Sequence, residues 1–214
     1  AGVGAESIDL IVVATSTPDH LTPPTAAEIQ ERLGASNAAT FDLEAGFAGW
    51  VYALVVADSL IRGGTARRAL VIGAEKLSTV TDRTDPQTAP LFGDGAGAVV
   101  LEAGAGPREV AACSWWADGR LAEALVRPAG GARQPFDERV LEERTHLLRM
   151  EGTRLFRQSV RTMAAQARIA LERAGLSLDD VGLIVPHQAN LRIIEAFSRE
   201  TGVPMEKVFV NIDR

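Results

Sequence analysis

Residues 41–54, FDLEAGFAGWVYAL, read as a buried strand, a tight turn and a helix. The turn sets Phe47 where the helix begins. A helix start carries unpaired N–H groups and partial positive charge, which favour an anion or an activated nucleophile. A benzyl group can use neither, so the turn and its occupant disagree.

Working outward, strand-like and helical segments alternate along almost the whole chain. IDLIVVAT (8–15) is a continuous β-branched run, the pattern of a strand buried on both faces. TAAEIQERLG (25–34) has helical spacing and stops at a glycine, TFDLEA (40–45) is a strand, and AGWVYALVVADSLIRGG (48–64) is a mostly apolar helix closed by two glycines. RRALVIGAE (67–75) and AGAVVLEA (96–103) are strands again. In the second half, REVAACSWWA (108–117) reads as a strand, with Cys113 a small buried hydrophobe and at least one of Trp115 and Trp116 in the core. A Gly/Pro-rich loop, RPAGGARQP (127–135), follows. Residues 151–174 form a long helix with Leu155, Val160, Met163, Ala167 and Leu171 on one face. GLIVPH (182–187) reads as a short buried strand, ANLRIIEAFSRETG (189–202) as a helix, and KVFVNI (207–212) as the start of a further strand. This alternation predicts an α/β fold with helices covering the sheet, in two related halves at 1–104 and 105–214. The first half is expected to be incomplete at its start and the second at its end.

The 214 residues are 46% hydrophobic and 23% charged, an ordinary globular composition. No apolar run approaches the roughly 20 residues of a membrane span, so no membrane partner is expected. The net charge of −6 argues against nucleic acid, whose binding rests on clustered Lys and Arg. The single Cys113 excludes an intramolecular disulfide and any multi-Cys metal site, which makes a reducing, cytoplasmic setting the default and leaves no metal expected.

Three signals carry chemistry. In PHQAN (186–190), His187 stands where an apolar strand gives way to a helix, the place where α/β folds expose functional side chains. It reads either as a structural histidine or as a donor to a developing oxyanion. The run LFGDGAGAVVL (91–101) opens into a strand and not a helix, which excludes a dinucleotide-binding loop. Arg157, Arg161 and Arg168 on one helix, with Arg192 and Arg199 on the next, read as a solvated face or as a basic patch for an acidic protein or a phosphate. His20 and His146 read as structural or exposed.

Together, LIVVATSTPD, FDLEAGFAGWVYAL, LFGDGAGAVVL, RPAGG, MEGTRLF and VPHQANLRII resemble the β-ketoacyl-acyl-carrier-protein synthase III family, in the family's order and over essentially the whole chain. The resemblance implies the thiolase fold, a homodimer whose subunit packs two pseudo-equivalent halves as αβαβα. It also implies a condensation. A Cys is acylated by acyl-CoA, malonyl-acyl carrier protein loses CO2, and the carbanion attacks the thioester. No cofactor is implied beyond the CoA thioester as substrate. Carried over by motif, His187 is the oxyanion donor and Phe47 occupies the nucleophile position, where the family has Cys. Gly152, Phe156, Ala189 and Asn190 fall at CoA-contacting positions, Thr22 at the acyl pocket, and Arg157, Arg192 and Arg199 where carrier protein docks. Pro86 stands where the family usually has an Arg against adenine, with Arg83 nearby but offset. The family's Asn donor belongs to a motif after the N-I-D-R segment at which this sequence ends. The expected activity is therefore a synthase III disabled for acyl loading. The alternatives are a non-catalytic subunit of a condensing pair, or a thiolase-fold acyltransferase of secondary metabolism.

Overall fold

The computed structural model describes residues 2–104, 106 and 109–212. They form two compact units, one of Ala1–Lys76 with Asp94–Val110 and one of Leu77–Gly93 with Ala111–Arg214.

The first unit is built on β1 (Leu10–Ala14), buried at every residue. It pairs in parallel with β2 (Ala39–Leu43) on one side and β3 (Arg68–Lys76) on the other; β4 (Asp94–Glu102) runs antiparallel beside β3, giving the order β2-β1-β3-β4. Helix α1 (Thr25–Leu33) covers one face and α2 (Gly49–Arg62) the other. Side chains alternate across a strand, so Leu10, Val12 and Ala14 join Ala53 and Ala57 of α2, while Ile11 and Val13 join Ala26 of α1. A strand covered on both faces has no polar side to show, which is why 8–15 reads as one apolar run. The glycine-rich run at 94–102 is a strand, as its sequence predicts.

Local chemistry places the helices. Pro24, at the N-cap of α1, offers no side-chain acceptor, and Asp42 of β2 supplies one by accepting from the Thr25 and Ala26 N–H groups at 2.7 and 2.8 Å. Helix α2 lies close to β1 because its facing residues are small. A Cβ on Gly49 would stand 3.3 Å from the Ala14 Cβ, and Ala53 and Ala57 are fully buried.

In the second unit, α4 (Gly152–Ala174) packs on α5 (Leu191–Thr201), and Arg168 Nη2 donates to the Glu200 carbonyl at 3.0 Å. Ile194, Val203 and Val208 make a small core. A short α3 (Glu138–Glu142), capped by the Asp137 carboxylate on Val140 N–H at 2.8 Å, and a two-residue ladder of β5 (Leu125–Val126) with β6 (Arg149–Met150) complete it.

Three strand expectations fail here. Described residues 109–117 form no strand. Their carbonyls are taken by side chains instead of a ladder: Val110 O accepts from Arg62 Nη2 at 2.7 Å and Cys113 O from Arg173 Nη1 at 2.6 Å. Cys113 is only half-buried, and both Trp115 and Trp116 are exposed, at 52% and 43%, because the pleat that would have buried one of them is absent. The segments 182–187 and 207–212 meet in a single parallel bridge, Ile184 with Val208. Leu183 and Val185 on either side are 57% and 68% exposed, so this is no buried strand. A β-branched run becomes a strand only where neighbours complete its ladder. Arg108, Asp213 and Arg214 lie outside the described residues.

Candidate active site

The turn after β2 is tight because Gly46 adopts φ +54°, a left-handed conformation that glycine enters without penalty. Gly46–Ala48 form one 3₁₀ turn that runs straight into α2. Phe47 stands in its middle, 40% exposed, at the positive end of a 14-residue helix. Within the turn the Gly46 N–H also donates to the Glu44 carboxylate at 3.4 Å.

Thr22 lies on the exposed loop between β1 and α1. The base of that loop is pinned by Glu75, whose carboxylate accepts from Ser16 N–H at 2.8 Å and from the Thr17 hydroxyl at 2.6 Å, while Lys76 N–H donates back to Thr17 Oγ1 at 2.8 Å. Sequence reasoning gave Glu75 no role. Its only signal was a carboxylate at the end of an apolar strand.

In the second unit, His187 follows the bridge at Ile184 and precedes α5. His187 is exposed as a residue, yet the protein around its imidazole desolvates it and lowers its pKa from the ordinary histidine value. The shift favours the neutral imidazole, in which one ring nitrogen carries N–H and the other is an acceptor. Ala189 is half-buried and Asn190 caps α5, its Oδ1 accepting from Arg192 N–H at 2.8 Å. Gly152 and Phe156, both half-buried, sit in the opening turns of α4. The four CoA-position residues thus fall on two segments, two on the turn into α5 and two on the start of α4.

Arg192 and Arg199 are seven residues apart on α5, so they share one exposed face, and Arg157 is exposed on α4. Arg83 and Pro86 are both exposed, on a loop built by two Asp turns. Asp82 accepts from Thr84 and from Arg144 Nη2 at 2.6 Å, and Asp85 accepts from Gln87 N–H and the Thr88 hydroxyl, each at 2.9 Å. The Thr84 hydroxyl and N–H, then Arg144, hold the Asp82 carboxyl below its usual range. His20 stands 3.6 Å from Glu28, and His146 tilts against the Phe136 ring. Among the described residues no group of three or more His, Cys, Asp or Glu side chains gathers as a metal site, and no helix is long and apolar enough to cross a membrane.

This arrangement can be compared with known proteins. Residues 41–119 match the family model of 3-oxoacyl-[acyl-carrier-protein] synthase III, and residues 171–214 match the model of its C-terminal region. The chain is 47% identical over 214 residues to the β-ketoacyl-[acyl-carrier-protein] synthase III of Roseiflexus sp. (strain RS-1) and 45% identical over 217 residues to that of Erythrobacter litoralis, each match covering 100% of this chain. It spans 65% of the length of both relatives. The crystal structure of 3-oxoacyl-[acyl-carrier-protein] synthase III from Aquifex aeolicus superposes with a TM-score of 0.88 at 42% identity, over 99% of this chain and 64% of that one. The structure from Thermus thermophilus does so with a TM-score of 0.88 at 41% identity, over 100% and 65%. The mixed sheet, the glycine turn opening α2 and the His187 turn all lie within these matches, and with this α/β thiolase fold the chain belongs to the 3-oxoacyl-[acyl-carrier-protein] synthase III family.

Proposed function

We propose that this chain carries the site of a β-ketoacyl-acyl-carrier-protein synthase III, which condenses an acyl-CoA primer with malonyl-acyl carrier protein to begin a fatty acid, and that Phe47 removes its acyl-loading half-reaction. The observation that carries this reading is the turn at Gly46–Ala48. It projects one side chain at the positive end of α2, where a Cys would ionise readily, and fills that place with a ring.

In the full reaction a thiolate at position 47 attacks the acyl-CoA carbonyl and CoA leaves as a thiol. The malonyl C–CO2 bond then breaks, its electron pair forms the new C–C bond, and the position-47 thiolate departs. Phe47 has no sulfur to acylate, so the first step stops. His187 serves the second. Its neutral imidazole donates an N–H to the thioester oxygen as negative charge develops there, and keeps that proton.

The pantetheine arm of CoA runs along Gly152, Phe156, Ala189 and Asn190, and Thr22 borders the acyl pocket, leaving room for a longer or branched primer. The reaction needs no cofactor beyond its thioester substrates. Pro86 gives up the guanidinium that would lie against adenine, with Arg83 the nearest cation in sequence. Arg157, Arg192 and Arg199 receive the acidic carrier protein. Two copies pair through β4, the edge strand of the sheet among the described residues, whose Gly95–Ala98 run is exposed. A single cysteine fits a cytoplasmic setting.

The test is a condensation assay with acyl-CoA and malonyl-acyl carrier protein on the chain and on Phe47→Cys. The expected result is β-ketoacyl product from the Cys form alone. No product from either form, with carrier protein or a Cys-bearing partner chain still bound, would instead establish a non-catalytic subunit.

A further inference from the structure

The segment that carries His187 begins as a parallel ladder. Ile184 N–H donates to Lys207 O and Phe209 N–H donates to Ile184 O, both at 2.8 Å. In a parallel pair the pattern repeats two residues on, so the next rung would join the 186 N–H to Phe209 O and the Asn211 N–H to the 186 carbonyl. Residue 186 is proline. It has no N–H, and the ladder stops there.

The missing rung is nevertheless filled. Gln188 Nε2 donates to Phe209 O at 3.1 Å, and Asn211 N–H donates to Gln188 Oε1 at 3.0 Å. The second hydrogen of the same nitrogen goes to Pro186 O, also at 3.1 Å. The side-chain amide thus presents a donor to Phe209 and an acceptor to Asn211, as a peptide group would. Its orientation is fixed by its partners, since a flipped amide would set oxygen against two carbonyls and NH2 against an N–H. His187 lies between the proline that breaks the ladder and the glutamine that mends it.

We propose that Gln188 is a positioning residue for His187: its side-chain amide replaces the peptide rung that Pro186 deletes, and so fixes the turn on which the imidazole stands. That this turn serves chemistry rests on the reading of His187 as the thioester donor. That the amide holds the turn does not.

The experiment compares Gln188→Met, which keeps the length and loses every hydrogen bond, with Pro186→Ala/Gln188→Met, which restores a backbone N–H at the broken rung. Both are made in the full chain carrying Phe47→Cys. Amide hydrogen exchange at Asn211 reads the rung directly, and steady-state condensation reads its consequence. Gln188→Met is expected to speed Asn211 exchange roughly tenfold. It is also expected to lower kcat by about tenfold or more with KM for malonyl-acyl carrier protein little changed, the usual cost of losing a group that orients an active-site ligand. The double variant is expected to recover most of both losses. Unchanged Asn211 exchange, a fall confined to KM, or no recovery in the double variant would each overturn the proposal. If no background condenses, the reading of His187 fails and exchange at Asn211 alone decides the role of Gln188. If Gln188→Met does not fold, Gln188→Glu replaces it. That variant keeps the acceptor for Asn211 and loses both donations, so its readout is catalytic: kcat is expected to fall with KM little changed, and an unchanged kcat would overturn the proposal.

Discussion

The turn that carries Phe47 leaves a strand with five paired residues and enters a helix packed on the same sheet, whereas the turn that carries His187 leaves a single bridge pair. In the first, main-chain pairing and one glycine dihedral do most of the work, with a long hydrogen bond from Gly46 N–H to the Glu44 carboxylate beside them. In the second, a side-chain amide completes what the main chain cannot. Position 47 thus stands on a frame whose main contributions come from elsewhere in the chain. The His187 turn has no such independence, because part of its frame is the adjacent residue.

The difference between the two turns extends to the cores beneath them. Ile11 is fully buried at the centre of the sheet and Ile194 is fully buried in the small cluster under α5. Ile11→Ala is expected to cost about 4 kcal/mol and Ile194→Ala about 2–3 kcal/mol, because a continuous core collapses less readily onto a void. Urea denaturation of both variants measures this, and a larger loss at Ile194 would reverse the ranking of the two regions. Next in size is the glycine turn. At φ +54° an added Cβ meets nothing within 4 Å, so Gly46→Ala isolates backbone strain, expected at about 1–2 kcal/mol. A neutral result in the same assay would show that the turn relaxes and is not held by the backbone.

Asn190→Ala sharpens the other side. Loss of the cap on Arg192 N–H is expected to cost about 1 kcal/mol and to fray only the first turn of α5, visible as faster exchange there. The smallest effect concerns pH. Burial holds the His187 pKa below the ordinary value of about 6.5. As the pH falls through that value the unfolded chain takes up a proton that the folded ring resists. Stability present above about pH 6.5 is thus lost as pH approaches the depressed folded value. Denaturation midpoints between about pH 8 and pH 5 should show this slope, and His187→Gln should flatten it.

The first unit was legible in the sequence to within two residues at each strand and helix end. Its strands are apolar on both faces, and its turns carry glycine at positive φ or a carboxylate aimed at a helix start. The second unit was legible in α4 and α5, and not in the short α3 or in its strands. VAACSWW and GLIVP have the composition of strands, but in one the carbonyls go to arginines and in the other the ladder ends after one pair. Composition reports what a segment tolerates; its partners decide what it becomes. Phe47 and His187 were singled out from motifs, as candidates. Glu75 and Gln188 were not, because their roles depend on which loop lies across from them and on the phase of a ladder with respect to a proline.

That phase has a consequence for how such a corner varies. A peptide group cannot be replaced by mutation, but a carboxamide that imitates one can. At Pro186 the bridge leaves one of its joints to a side chain, so a single codon at Gln188 can alter that joint without touching the two main-chain hydrogen bonds of Ile184.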